Sequence, residues 1–260
     1  MSPIDNKEHD LKVLLSHEPE EINSADEERR EEEKVKIRRL NWVDLLLALM
    51  GIAVLYLGIG YVLAWLAQDW ENEKVLLYIN GFLTQGVFLL IILGIMRMRK
   101  WTWRDFGWKG VKERYIGNVI TLYILTWIIN TCYAAYLLNK GFTLPETDAY
   151  SKLLGDVTVI TFCLNLFLAG ILAPVIEETL FRGIIFGSLR TYMGKWTAAG
   201  VSAAFFSALH LQSYGFVPRF VLGLVLAYLV MKYQSLKPAV ALHAVNNIVA
   251  LVLVVLLDGL

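Results

Sequence analysis

The chain has 260 residues, of which 57% are apolar and 18% are charged. A soluble domain is usually about 45–50% apolar, and the excess here falls in long runs with few charges, which predicts an all-α, polytopic membrane protein rather than a soluble one. The formal net charge is zero, and no basic face interleaved with aromatic residues occurs, so nothing indicates a nucleic-acid partner.

The first 39 residues differ in composition from the rest of the chain. They are rich in charge and contain no apolar segment, so we expect a mostly disordered cytoplasmic tail over 1–39 and a membrane domain over 40–260. Seven apolar segments follow. They are 41–66, 76–96, 115–138, 157–189, 196–211, 216–233 and 238–257.

The fourth apolar segment is too long for one ordinary crossing, because about 20 residues of helix span the hydrocarbon core. It is interrupted at Pro174, so it forms either one tilted helix with a kink or two consecutive helices. The whole bundle therefore has about seven or eight helices. Two cysteines, Cys132 and Cys163, lie in apolar runs and are interpreted as buried packing residues rather than a disulfide or a metal pair.

Basic residues are concentrated before the first segment and in the connections that follow the second, fourth and sixth segments. With seven crossings all these stretches fall on one side, which the positive-inside rule assigns to the cytoplasm. The N-terminus is then cytoplasmic. Asp44 lies near an end of the first segment, where we expect its carboxylate to reach water.

Ionisable side chains enter the apolar segments only from residue 177 onward. An ionisable residue inside a membrane helix is costly to bury and usually functional. Glu178 and Arg182 are four residues apart, so they share a helix face and are expected to pair, whereas Glu177 is rotated by about 100° and points elsewhere. The later segments add His210, His243 and Asn247, and the last two again share a face.

The depths of these residues can be compared at about 1.5 Å of rise per residue. Counted from the basic ends of their helices, Glu177 lies at about 20 Å, His210 at about 21 Å, His243 at about 9 Å and Asn247 at about 15 Å. The first two depths agree, and the last two come within a tilt of the helix or a shift of its boundary. We therefore expect the four side chains to converge. A carboxylate and an imidazole could activate a water, the other imidazole and the amide could stabilise an oxyanion, and the same four groups could hold Zn²⁺.

Three short patterns resemble the motifs of the CAAX-processing and bacteriocin-processing (CPBP) intramembrane endopeptidases. They occur in the order of that family, in successive apolar segments, and the resemblance covers about residues 157–257. The patterns are E-E-x-x-x-R at Glu177, Glu178 and Arg182, F-x-x-x-H at Phe206 and His210, and H-x-x-x-N at His243 and Asn247.

The resemblance implies a type II CAAX prenyl protease-like enzyme that cleaves a membrane-embedded or lipidated peptide or protein, in a bacterial plasma membrane. It implies that Glu177 is the general base and that His210 positions the water. It assigns the oxyanion site to His243 and Asn247, and a bracing role to Glu178 and Arg182. If a metal assists, Zn²⁺ is the expected ion, held by Glu177, His210, His243 and Asn247.

Two other classes of function remain open from the sequence. A transporter or proton relay also places Glu, His and Asn at mid-membrane, although it predicts ionisable residues along a path between the two surfaces. A non-catalytic membrane partner could keep the same residues for packing alone. The clustering of the polar residues in the last four segments favours the endopeptidase.

Overall fold

The computed structural model describes residues 39–66, 73–112, 114–142 and 158–258. Every regular element in these ranges is a helix, which confirms the all-α prediction. The predicted tail over 1–39 lies outside the described residues, apart from Arg39.

Seven helices make up the described part of the chain. They are α1 (Trp42–Leu66), α2 (Glu73–Arg99), α3 (Ile116–Asn139), α4 (Val159–Leu189), α5 (Lys195–Ala208), α6 (Phe216–Tyr233) and α7 (Lys237–Asp258). By length and composition six of them can cross a membrane, which identifies an integral membrane protein. Helix α5 has 14 residues, about 21 Å at 1.5 Å per residue, and is too short for a full crossing.

Helix α4 is one continuous helical run and not two separate helices. It contains two π-helical segments, Leu166–Leu172 and Thr179–Ile185, with the α-helical segment Ala173–Glu178 between them. Pro174 has no N–H to donate, and it lies two residues after the end of the first π-helical segment, at the start of the α-helical one. The two glutamates therefore lie on a short α-helical stretch between two irregular ones.

The basic connections meet at one end of the bundle, as the sequence predicts. The backbone N–H of Trp42 donates to the Tyr192 hydroxyl at 2.9 Å, which joins the start of α1 to the α4–α5 connection. The N–H of Leu236 donates to the Gly107 carbonyl at 2.9 Å, which joins the α6–α7 connection to the α2–α3 connection. We call this end, formed by residues 40–44, 97–112, 190–195 and 232–237, the basic end.

Asp44 is buried at the basic end, so the expectation that it reaches water is wrong. Its carboxylate is fully inaccessible and accepts hydrogen bonds from Arg99 Nε (3.0 Å) and Trp101 Nε1 (2.8 Å). The segment that follows α2 folds back over the end of α1 and covers the carboxylate. The Asp44 carboxylate, at the end of an apolar segment, is therefore hydrogen-bonded by protein groups.

Close approach at glycine joins the basic end to α4. A Cβ on Gly183 would lie 2.8 Å from the Phe106 carbonyl oxygen and 3.6 Å from Leu236 Cδ1. Only a residue without a side chain lets the α2–α3 connection and the start of α7 reach α4 at this level. The position of α7 along α4 is set by this contact.

The two cysteines are free thiols that lie on the exposed surface of the bundle. The interpretation of Cys132 and Cys163 as buried packing residues is therefore wrong. They form no disulfide with each other.

Candidate active site

Glu178 joins two of the predicted site residues. Its Oε1 accepts a hydrogen bond from Arg182 Nη1 at 3.0 Å, which confirms the predicted i,i+4 pair. The same oxygen lies 2.8 Å from His243 Nδ1 on α7. A carboxylate only accepts, so Nδ1 carries the proton in this bond and the lone pair of a neutral ring is on Nε2. All three residues are buried.

Glu177 points away from that pair and toward α2. Its Oε1 accepts a hydrogen bond from Gln85 Nε2 at 2.7 Å. Its Oε2 lies 3.9 Å from His243 Nε2, which is longer than a hydrogen bond. Glu177 is only 8% exposed, so this carboxylate is held by an amide on one side and faces an imidazole on the other.

His210 lies two residues after the end of α5. Its Nδ1 is 2.9 Å from the carbonyl oxygen of Phe206, and because a carbonyl only accepts, Nδ1 carries the proton. The ring packs edge-on against Phe206, with ring centroids 4.9 Å apart, and Phe206 also contacts the His243 ring. The Phe206 side chain therefore separates and orients the two imidazoles.

Asn247 makes a different contact from the one predicted. Its Nδ2 donates to the Ala169 carbonyl at 2.8 Å, within the first π-helical segment of α4. No hydrogen bond joins it to Glu177, His210 or His243, all four being described residues. The amide therefore links α7 to the irregular backbone of α4, and it retains one N–H for another acceptor.

A cavity of about 460 Å³ opens beside Glu177 and His210. Its walls come from α1, α2, α4 and the connection after α5. It combines apolar residues with the polar side chains of Tyr56, Asn80, Thr84 and Gln85. Glu177 and His210 thus share one space that can hold a water and part of a substrate.

The residues do not fit a resident Zn²⁺ in this arrangement. Within the described ranges, no three His, Cys, Asp or Glu side chains come close enough to share one ion. The Oδ1 atom of Asn247, the fourth predicted ligand, accepts a hydrogen bond from Asn246 Nδ2 at 3.3 Å. The predicted zinc ligand set is therefore not assembled.

The segment that contains all three sequence motifs matches a known family. Residues 159–249 match the family model described as Type II CAAX prenyl endopeptidase Rce1-like. These residues form an Rce1-like domain. The description of that family names an endopeptidase, so the family to which this segment is similar is one of hydrolases.

A curated protein of Escherichia coli, described as an uncharacterized 24.3 kDa protein, is 27% identical over 195 residues. The alignment covers 70% of this chain and 86% of that protein, so the similarity extends beyond the Rce1-like domain. No solved structure matches the chain.

Gln85 is the site residue that the sequence analysis missed. It lies outside the Rce1-like domain, on α2, and is only 6% exposed. Its side chain carries no charge, so a search for ionisable residues at membrane depth passes over it. A neutral amide in the middle of an apolar helix still needs hydrogen-bond partners in lipid, and that requirement is the signal that could have found it.

We expect Gln85→Met to lower kcat by about 10- to 100-fold, because a hydrogen bond to a charged group contributes roughly 1.5–3 kcal/mol. Methionine keeps the length of the side chain and removes the donor that holds Glu177. The melting temperature in detergent should stay close to that of the wild type. An unchanged kcat would show that Gln85 does not position the carboxylate.

Proposed function

We propose that the chain is an intramembrane endopeptidase that hydrolyses a peptide bond in a membrane-associated peptide or protein, with Glu177 as the general base. One observation carries the proposal: the buried Glu177 carboxylate lies 3.9 Å from the His243 ring and lines the same cavity as His210. A carboxylate at this depth is costly to bury and is therefore usually functional. The Rce1-like domain supports the same reaction class.

The first step is activation of water. Glu177 Oε2 takes a proton from a water molecule that lies in the cavity between the carboxylate and the His210 imidazole, and the water oxygen attacks the carbonyl carbon of the substrate. The C=O π bond opens and its electron pair moves to the oxygen. Gln85 fixes Glu177 through Oε1, so Oε2 is the oxygen left for the proton transfer.

The second step is collapse of the tetrahedral oxyanion. The C–N bond breaks, and the leaving amine takes the proton that Glu177 received from the water. We assign contact with the water to His210, and stabilisation of the oxyanion to His243 and Asn247. His243 donates from Nε2 when its ring is protonated, since Nδ1–H is engaged by Glu178, and Asn247 donates through the N–H that Ala169 does not use.

Glu178 and Arg182 position the other groups in this scheme. Neither lines the cavity, and both are buried with their charges paired. The Arg182 guanidinium also lies over the ring of Phe206, 4.4 Å from its centroid, and Phe206 is 1% exposed. A proton relay needs ionisable groups that continue to both surfaces, whereas this pair is enclosed by protein.

The experiment that tests the function is a comparison of membrane peptides from cells that produce the wild type or Glu177→Ala at equal levels. We expect specific fragments of membrane proteins in the first sample, with the uncut precursors accumulating in the second. Identical peptide sets would contradict the proposal. A fragment that appears only with the wild type also supplies a reporter substrate for kinetics.

We expect chelation by 1,10-phenanthroline to leave cleavage of that reporter unchanged, because the described residues do not assemble three ligands for one ion. The measurement is the cleavage rate of the purified protein before and after treatment, with a zinc protease as the positive control. Loss of activity that added Zn²⁺ restores would show that a metal takes part.

A further inference from the structure

The cavity extends from Glu177 in one direction along the bundle. On α1 its lining residues run from Leu55 to Leu63, and on α2 from Phe88 back to Asn80. At about 1.5 Å per residue these positions lie roughly 17–32 Å from the basic end, whereas Glu177 lies about 18 Å from the end of α4. Glu177 is therefore near the floor of the cavity, and the cavity extends away from the basic end.

The bundle is tightly packed between that floor and the basic end. Phe88 and Phe181 meet edge-to-face with ring centroids 6.1 Å apart, and Phe181 meets Phe206 at 5.1 Å. Closer to the basic end, the side chains of Ile92 and Ile184 are completely inaccessible. Protein interiors of this kind exclude water and peptide alike, so the described residues leave no route to Glu177 through the basic end.

The two long walls of the cavity differ in chemistry. The α1 wall is mainly apolar and includes Leu55 and Ile59, whereas the α2 wall presents Asn80, Thr84 and Gln85. The Gln85 Oε1 atom is buried and has no hydrogen-bond partner among the described residues. A hydrocarbon chain cannot form hydrogen bonds with this row of polar side chains.

An extended peptide can form hydrogen bonds with the polar side chains of the α2 wall. In lipid every backbone N–H and C=O needs a partner, and a peptide that is not helical must find its partners in the protein. The Thr84 hydroxyl donates to Asn80 Oδ1 at 3.3 Å and Gln85 Nε2 donates to Glu177. The Asn80 Nδ2 and Gln85 Oε1 atoms can therefore supply a donor and an acceptor to the peptide, while the α1 wall takes apolar side chains. A substrate that stays helical bonds its own backbone and leaves the α2 row unused.

We propose that the cavity is the substrate cleft, and that a peptide segment enters it in extended form from the end of the bundle opposite the basic end. The positive-inside rule assigns the basic end to the cytoplasm. The substrate class is then a membrane-anchored peptide presented from the extracytoplasmic half of the membrane. The proposal rests on the proposed function only in naming this peptide as the one that is cleaved.

Cysteine accessibility tests the direction of entry without any need for cleavage. The background is Cys132→Ser with Cys163→Ser, and the probe is a charged, membrane-impermeant maleimide applied to right-side-out or inverted vesicles. Thr84→Cys reports the cavity and Lys109→Cys reports the basic end. Leu57→Cys, on the exposed face of α1 at 78% exposure, is the lipid-facing control.

We expect labelling of Thr84→Cys from the side opposite to the one that labels Lys109→Cys, and no labelling of Leu57→Cys. Labelling of Thr84→Cys from the same side as Lys109→Cys, or from neither side, would overturn the proposal. Asn80→Cys provides a second cavity position if the Thr84 variant does not fold. Because labelling is independent of catalysis, failure of the proposed hydrolysis leaves this result unaffected.

The extended form is tested by protection of Thr84→Cys in a Glu177→Gln background. Two synthetic Leu/Ala transmembrane peptides serve as probes, identical except that one carries a central Gly-Pro that unwinds its helix. We expect the Gly-Pro peptide to slow labelling and the uninterrupted helix to leave it unchanged. Equal protection by both peptides, or by neither, would overturn the assignment of an extended substrate.

Discussion

Glu177→Gln is expected to lower the cleavage rate by about 10²–10⁴-fold, the usual contribution of a general base. Glutamine has the same size as glutamate and keeps an oxygen that can accept the Gln85 hydrogen bond, so the local packing is preserved. The variant loses the group that takes the proton from water. Its stability should be unchanged or slightly higher, because a buried charge is costly to hold.

The measurement for this variant is the cleavage rate together with the melting temperature in detergent. Asp105→Asn is the matched control, since it makes the same carboxylate-to-amide change on the exposed α2–α3 connection. There the Asp105 carboxylate accepts hydrogen bonds from the N–H and the hydroxyl of Thr102. The control should cleave like the wild type. Full activity in Glu177→Gln would remove Glu177 from the reaction, and a large fall in its melting temperature would make it a structural residue.

The sequence predicted the helices well because their signal is local. Long apolar runs give the seven helices to within a few residues, and α6 begins and ends at the predicted residues 216 and 233. The Glu178–Arg182 pair is also local, since one turn of helix brings the two side chains together. The contacts of Glu177 with Gln85 and His243 are not local, and no spacing within a helix predicts them.

The depth of α7 shows why such estimates fail. Counting from Lys237 as a surface position places His243 about 11 Å closer to the surface than Glu177, at 1.5 Å per residue. In the structure Ser235 and Leu236 are fully inaccessible, because the α2–α3 connection folds over them. Helix α7 therefore begins level with Gly183, and the His243 ring lies 3.9 Å from Glu177.

Burial by the same connection explains the error at Asp44. A charge near the end of an apolar segment is expected in water, yet Trp101 and Arg99 cover it. Whether a connection stays in solvent or folds back onto the bundle depends on tertiary contacts, such as the approach of Phe106 to Gly183. Hydropathy does not contain that information.

Glu178→Gln is expected to fail in a different way from Glu177→Gln. Glu178 Oε1 is the common acceptor for Arg182 Nη1 and His243 Nδ1, and the residue is completely inaccessible. Removing its charge leaves a buried guanidinium without a counter-ion, and breaking a buried pair in this way costs about 3–5 kcal/mol. The variant should therefore melt at a lower temperature and also lose activity, since His243 is no longer held.

Paired measurements on the two glutamine variants distinguish the general base from the positioning residue. Both substitutions have the same size and chemistry and lie one residue apart, so each serves as the control for the other. A stability loss confined to Glu178→Gln, with an activity loss in both, is the expected pattern. Arg182→Met in the Glu178→Gln background should recover part of the lost stability, because it removes the unpaired buried charge, and it should not recover activity. If the loss of stability instead follows Glu177, the two carboxylates have exchanged roles and Glu178 becomes the candidate base.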